Sequence, residues 1–112
     1  MNFKNLAGAS AKPIILSLLT SGETYGYQII KRVRLVSGGT LEWTSAMLYP
    51  VLHRMEKDGL IRSAWKTSDE NRLRKYYSLT ERGVRALSLE KEQWRGVQAA
   101  LQKLLGTVEA AD

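Results

Sequence analysis

The spacing of the apolar residues changes twice along this 112-residue chain, and this change limits the folds that it can adopt. Up to about residue 58 the apolar residues recur every three or four positions, which is typical of helices. From residue 60 to 80 the pattern is that of short strands, and helical spacing then returns. The sequence therefore predicts three helices, a β-hairpin and a final helix, a mostly α fold of the α+β class.

The first two helices are predicted from short periodic segments. Pro13 leaves two possible starts for the first helix, one near Pro13 itself and one near Phe3 with a kink at the proline. Thr24 is expected to cap the second helix, which runs from Tyr25 to about Val36. The exposed side of this helix is predicted to carry three basic residues, Lys31, Arg32 and Arg34.

The third predicted helix runs from Ser45 to Asp58, with Thr44 as its cap. Its buried stripe consists of apolar residues at helical spacing, Leu48, Leu52 and Met55, with Val51 beside them. The face turned away from that stripe carries small, polar, aromatic and basic residues, namely Ser45, Ala46, Tyr49, Pro50, His53 and Arg54. Such a face is suited to contact with another molecule.

Two strands, Leu60–Lys66 and Arg74–Thr80, are predicted to form a hairpin around a polar loop. Thr80 is expected to cap the final helix, which begins at Glu81 and reaches about Leu105. This order of elements is that of a winged helix, a helix-turn-helix followed by a β-hairpin. We therefore predict a winged helix-turn-helix domain over residues 1–80, a dimerisation helix over 81–106 and a fraying tail over 107–112.

The positive charge of the chain is concentrated in its middle. The whole chain has 17 Lys and Arg against 11 Asp and Glu, and residues 31–82 carry +5 of the net +6. A local basic excess is expected of a nucleic-acid-binding face, because cations that neutralise phosphates release counterions. The major-groove helix is then the third one, and its expected DNA contacts are Thr44, Ser45, Ala46, Tyr49, His53 and Arg54, with Lys31 from the second helix.

The composition argues against other classes of function. The chain has no cysteine and one histidine, so it offers neither a thiol nucleophile nor a thiolate zinc site. We expect no enzymatic activity, no metal and no cofactor. The longest apolar stretch, residues 13–19, is too short to span a bilayer, so a cytoplasmic location without membrane contact is expected. The alternative to DNA binding is a winged-helix module that binds or dimerises proteins.

Three stretches, YGYQIIKRV, MLYPVLHRMEKDGLI and RKYYSLTERG, resemble the PadR family of bacterial transcriptional regulators, in its short branch with one carboxy-terminal helix. The resemblance covers about residues 6–105. It implies a homodimeric winged-helix repressor on a nearly palindromic DNA operator. By matched motif it also implies that Tyr49 and the residues from Thr44 to Met47 contact DNA, and that Arg74 and Lys75 form the base of the wing.

The chain departs from the family pattern at two places. Family members often carry glycine and proline in the wing, whereas this wing has Asp69 and Glu70 near its tip. Phosphates repel these carboxylates, so deep insertion of the tip is disfavoured, and the better contacts are Arg72, Arg74 and Lys75. The second departure is Ser45, where proline is common; the first helical turn accepts either residue.

The final helix carries an apolar seam with a repeat of seven residues and flanking positions at three, formed by Leu87, Trp94, Val97, Leu101 and Leu104. This seam is predicted to pair two chains, although the helix can also pack against the first helix of its own chain. Trp94 lies in the middle of the seam. The resemblance places a site for a planar aromatic effector there, whereas the simpler interpretation is a core residue.

Overall fold

In the computed structural model, the described part of the chain forms four helices and one three-stranded antiparallel sheet. The backbone is described for residues 3–111 and the side chains for residues 10–106. The elements are α1 (Phe3–Leu19), β1 (Thr24–Tyr25), α2 (Gly26–Val36), α3 (Ser45–Lys57), β2 (Ile61–Thr67), β3 (Leu73–Leu79) and α4 (Glu81–Ala111). The predicted α+β winged-helix fold with a long final helix is confirmed.

Helix α1 lies at the centre of the fold and contacts every other helix and β3. It continues through Pro13, so the earlier of the two predicted starts is the observed one. Its buried face contains residues that are at most 9% exposed, namely Ala11, Ile15, Leu16, Leu18 and Leu19. Arg32 of α2, predicted on an exposed side, is half buried because its guanidinium donates to the Leu18 carbonyl of α1 at 3.4 Å.

The short strand β1 was not predicted from the sequence. It pairs with the middle of β3, which gives the strand order β1-β3-β2. Thr24 therefore does not cap α2: it is buried in β1, and its hydroxyl donates to Oε1 of Gln28 at 2.7 Å. Helix α2 begins at Gly26 instead, with Tyr25 as an N-cap that makes no side-chain hydrogen bond to the helix.

Helix α4 is fixed at its start by Thr80, as predicted. The Thr80 hydroxyl accepts a hydrogen bond from the Gly83 amide at 3.0 Å and donates one to the Gly59 carbonyl at 2.6 Å. Gly83 packs directly against the Leu60 carbonyl, where a Cβ atom would collide with the oxygen. The helix continues to Ala111, beyond the predicted end near residue 105. The predicted fraying of residues 107–112 lies outside the residues whose side chains are described.

Only the first turns of α4 pack against the body of the molecule, and the rest projects, which gives overall dimensions of 58 × 28 × 22 Å. Leu87, predicted to belong to the pairing seam, is instead buried in the chain's own core, at 5% exposure. An ion pair between Lys12 and Glu90, 3.0 Å long, joins α1 to α4. None of the described helices has the length and apolar character needed to cross a membrane.

Candidate nucleic-acid interface

The start of α3 has the geometry of an anion-binding helix terminus. Thr44 caps the helix as predicted, because its Oγ1 accepts a hydrogen bond from the Met47 amide at 3.2 Å. The amides of Ser45 and Ala46 belong to the first turn, which has no intrahelical acceptors, and both residues are exposed. Backbone amides and the helix dipole together favour a phosphate at this position.

The two faces of α3 are divided as the sequence predicts. Leu48, Leu52 and Met55 are at most 2% exposed, whereas the opposite face is open to solvent along Ser45, Ala46, Tyr49, Pro50, His53 and Arg54. Met47 differs from the other predicted DNA contacts on α3, because it is half buried and packs against the core. The Arg54 guanidinium lies 3.3 Å from the Asp58 carboxylate, so its charge is partly balanced within the helix.

The wing consists of β2 and β3, in a register that runs from Ile61 opposite Leu79 to Thr67 opposite Leu73. Its loop is closed by a hydrogen bond of 2.7 Å from the Ser68 amide to the Arg72 carbonyl. Asn71 adopts a left-handed backbone with φ of 59°, a conformation that asparagine tolerates. Asp69 and Glu70 lie exposed in this loop, as predicted for the tip.

Glu56 connects α3 to the wing. Its Oε2 atom accepts two hydrogen bonds from Ser63 of β2, one from the amide at 3.1 Å and one from the hydroxyl at 2.6 Å. Its other oxygen lies 4.0 Å from Nζ of Lys75 on β3. These contacts hold α3 and the hairpin together. The sequence does not predict this link, because Ser63 and Lys75 belong to strands that follow α3 in the chain.

A groove with a volume of about 390 Å³ lies between the start of α2, α3 and the wing. We refer to it as the wing groove. Aromatic, aliphatic and basic side chains line it, including Tyr27, Tyr49, Trp65, Leu73 and Lys75. The Tyr49 ring lies against Gly26, where an added Cβ would be 2.5 Å from the tyrosine oxygen. Its hydroxyl is thereby held at the start of α2.

Tyr77 forms part of the wall of the wing groove and is 3% exposed. Burial raises the pKa of its phenol above the ordinary value, and the neighbouring Tyr49 and Glu56 raise it further. Because the phenol stays neutral, Tyr77 does not add negative charge to the wing groove. Nζ of Lys75 lies 5.8 Å from the centre of the Tyr77 ring, so this ring also helps to position the lysine.

The side chains of Arg74 and Lys75 point to opposite faces of β3, as those of consecutive strand residues do. Its guanidinium lies 4.2 Å from the centre of the Tyr25 ring and 3.6 Å from the Glu70 carboxylate. Its Nε atom is buried without a hydrogen-bond partner among the described residues. Tyr25 in turn contacts Tyr76 edge to face at 5.4 Å. Arg74 is thus engaged within the wing, an arrangement that depends on the unpredicted strand β1.

The remaining predicted residues do not line the wing groove, and Arg72 is exposed in the loop of the wing. Lys31 is exposed on α2, with Nζ 5.3 Å from the ring of Tyr27, and so lies beside the wing groove. Trp94 lines a separate apolar groove of about 420 Å³ between α1, α2 and α4, which we call the helical groove. Trp94 is 42% exposed, and the seam residues beyond it are at least half exposed, namely Val97, Leu101 and Leu104.

The sequence profile of the Transcriptional regulator PadR-like family matches residues 15–89, which include α2, α3 and the whole wing. The chain belongs to this family. The predicted resemblance is confirmed, and the protein is a DNA-binding transcriptional regulator of the PadR family rather than an enzyme. Among the described residues no cluster of potential ligands could hold a metal ion.

Solved structures and a curated relative are similar to this PadR-like regulator. A transcriptional regulator from Clostridium thermocellum is 30% identical with a TM-score of 0.79, and the match covers 88% of this chain and 96% of that one. A PadR-like regulator from Bacillus cereus is 28% identical with a TM-score of 0.80, covering 90% and 96%. Transcriptional regulator YqjI of Escherichia coli is 28% identical over 80 residues, 71% of this chain and 37% of YqjI.

Proposed function

We propose that this PadR-like regulator is a homodimeric repressor that binds a nearly palindromic operator in the bacterial cytoplasm. The observation that carries the proposal is the wing groove and the exposed face of α3 beside it. Polar, aromatic and basic side chains meet there, within the segment that holds +5 of the net charge. A basic concave surface beside an exposed helix is suited to the phosphates and base edges of duplex DNA.

In the proposed complex, α3 enters the major groove with its first turn nearest the DNA. The amides of Ser45 and Ala46 and the Thr44 hydroxyl bind a backbone phosphate. Tyr49 donates its hydroxyl to a second phosphate at the uncapped start of α2, where Lys75 adds a positive charge. His53 and Arg54, which follow on the same exposed face, are the residues placed to reach base edges.

The proposed dimer forms through the exposed part of α4. A palindromic operator requires a two-fold protein, since one small domain covers only half of it. The apolar seam beyond Leu87 projects from the body and has no cover in a single chain, with Val97, Leu101 and Leu104 half exposed or more. Pairing two such helices removes these side chains from water and stabilises the dimer.

The proposed effector is a planar aromatic molecule, neutral or cationic, that enters the helical groove beside Trp94. The lining of this groove is almost wholly apolar, and Trp94 supplies a ring for stacking. Binding is expected to quench Trp94 emission and to weaken operator binding. A panel of neutral and cationic planar aromatic molecules that leaves both the fluorescence and the operator affinity unchanged would remove the effector from the proposal.

A gel-shift titration with the DNA upstream of the protein's own gene tests the central proposal. We expect retardation at low salt that is lost steeply as salt is added, because bound phosphates release counterions. Absence of any shift at low salt would instead favour the protein-interaction module. Protection of two half-sites about one helical turn apart would support the dimer on a palindrome.

A further inference from the structure

The wing carries two large apolar side chains that are open to water. Trp65 of β2 is 65% exposed and Leu73 of β3 is 67% exposed. Trp65 lies opposite Lys75, and Leu73 lies opposite Thr67, so Trp65 and Leu73 are diagonal neighbours on one face of the hairpin. Neighbouring apolar side chains in water are unfavourable, and such a patch indicates contact with another molecule.

This pair lies on the surface that the proposed function assigns to DNA. Tyr77 leaves the same face of β3, and Trp65 and Leu73 line the wing groove together with Tyr49. The patch is therefore continuous with the exposed face of α3. The apolar seam of α4 is elsewhere, because α4 contacts α1 and the base of β3 rather than the tip of the hairpin.

The lysine beside the patch favours a negatively charged partner over an apolar one, and the continuity of the patch with the exposed face of α3 favours DNA as that partner. Lys75 is directly opposite Trp65 on β2 and lies on the same face. At the tip the exposed Arg72 is offset by the exposed Asp69 and Glu70, and Arg74 is held against Tyr25. The face of the wing that lines the wing groove offers DNA an apolar edge flanked by Lys75.

We propose that Trp65 and Leu73 pack against the sugar walls of the minor groove next to the major groove that α3 occupies. Lys75 then contacts the adjoining phosphate. Minor-groove proteins place apolar side chains in this groove, usually as wedges between base steps. For side chains on the rim of a wing, the deoxyribose edges are the least polar part of the groove within reach. The inference rests on the proposed DNA binding and assigns the wing contact to residues other than the basic ones.

Binding of the 112-residue chain to a labelled duplex of mixed sequence and about 30 base pairs tests this contact, since that length has room for both subunits of a dimer and their wings. Trp65→Thr and Leu73→Thr should each weaken binding about tenfold per subunit, and about a hundredfold for the dimer, as expected if each subunit buries about 60 Å² less apolar surface against the DNA. Their salt dependence should match the wild type. Lys75→Ala should instead lower the slope by about 0.9 per subunit. Leu89→Thr is the matched control, because Leu89 is 57% exposed on α4.

Tryptophan emission provides a second measurement that does not depend on affinity. DNA should change the emission of the wild type and of Trp94→Phe, whereas Trp65→Phe should lose the change. The inference is overturned if Trp65→Thr and Leu73→Thr bind as tightly as the wild type, or if the emission change persists in Trp65→Phe. Failure of the wild-type protein to bind any duplex at low salt is a different result, and it overturns the proposed function itself.

Discussion

Tyr49 and Gly26 show how a residue without a side chain determines the position of a binding group. The absence of a Cβ at Gly26 lets the tyrosine ring lie against the start of α2. The ring is consequently 45% exposed, with its hydroxyl beside a helix terminus that has no side-chain cap. The position and exposure of the Tyr49 hydroxyl therefore depend on the contact between α3 and the start of α2.

Replacing Tyr49 with Phe removes this hydroxyl and keeps the ring. Operator binding should weaken by about 1.5 to 3 kcal/mol per subunit, the range for one hydrogen bond to a charged group. Thermal unfolding should be unchanged, since the ring packing is retained. Tyr76→Phe is the control, because Tyr76 lies on the other face of the wing against Tyr25. Equal losses in the two variants, measured by fluorescence anisotropy, would contradict a phosphate contact at Tyr49.

Lys75 and Arg74 are neighbours in sequence that differ in how much of their charge is available to DNA. Both line the wing groove, but the Arg74 side chain is 18% exposed, stacked on Tyr25 and paired with Glu70, whereas the Lys75 side chain is 37% exposed and lies 4.0 Å from Glu56. Lys75→Ala should weaken binding to all sequences and flatten the salt slope. Arg74→Ala should weaken binding with a smaller change in slope, because it mainly loosens the wing. A larger slope change for Arg74→Ala would identify it as the phosphate ligand.

At the scale of elements, caps and close contacts determine where the helices begin. Thr44 and Thr80 each accept a hydrogen bond from an amide three residues ahead, and both caps follow from the sequence. The packing of Gly83 on the Leu60 carbonyl adds a constraint that the sequence does not reveal. This contact holds α4 against the start of the wing.

Two glycines of α4 should respond oppositely to replacement by alanine. A Cβ at Gly83 meets the Leu60 carbonyl, so Gly83→Ala should destabilise the fold by about 1 to 3 kcal/mol. Gly96 has open space around it, so Gly96→Ala should stabilise the helix by about 0.5 to 1 kcal/mol. Urea unfolding at one protein concentration measures both. A stabilising Gly83→Ala would show that α4 can shift away from β2 freely.

Local patterns were sufficient to predict most elements of this fold. The stripe of Leu48, Leu52 and Met55 and the cap at Thr44 define α3 without reference to the rest of the chain. The same reasoning failed for β1, since two residues are too few to show a period and their partner strand lies about fifty residues away. Arg74 was for the same reason predicted as a free contact, because its stacking on Tyr25 requires β1.

Burial within a single chain separates the predicted seam into two parts. Leu87 belongs to the core, whereas Trp94, Val97 and the residues after them remain exposed. Their spacing places all of these residues on one side of α4. It does not show which of them pack against the rest of their own chain. One side of α4 therefore has a part that packs in the chain's own core, at Leu87, and a part that is open to solvent, from Trp94 to Leu104.

Leu101→Glu tests the open surface, where Leu101 is 50% exposed. A carboxylate without a partner in an apolar interface is unfavourable, so the dimer dissociation constant should rise by more than about tenfold. Sedimentation velocity measures this change, and operator affinity should fall with it. Leu89→Glu, on the same helix but outside the seam, should leave the dimer intact. Dimers of Leu101→Glu as stable as the wild type would rule out pairing through this surface.

The two hydrogen bonds from Ser63 to Glu56 have a consequence for the choice of DNA sequence. They join the hairpin to α3, so the distance between the two DNA-reading parts of one subunit is fixed. A duplex whose local twist or minor-groove width does not match this distance has to deform before both parts fit, and deformation energy depends on sequence. The affinity of the protein is therefore expected to depend on base pairs that no side chain touches, because those base pairs determine the shape of the DNA site.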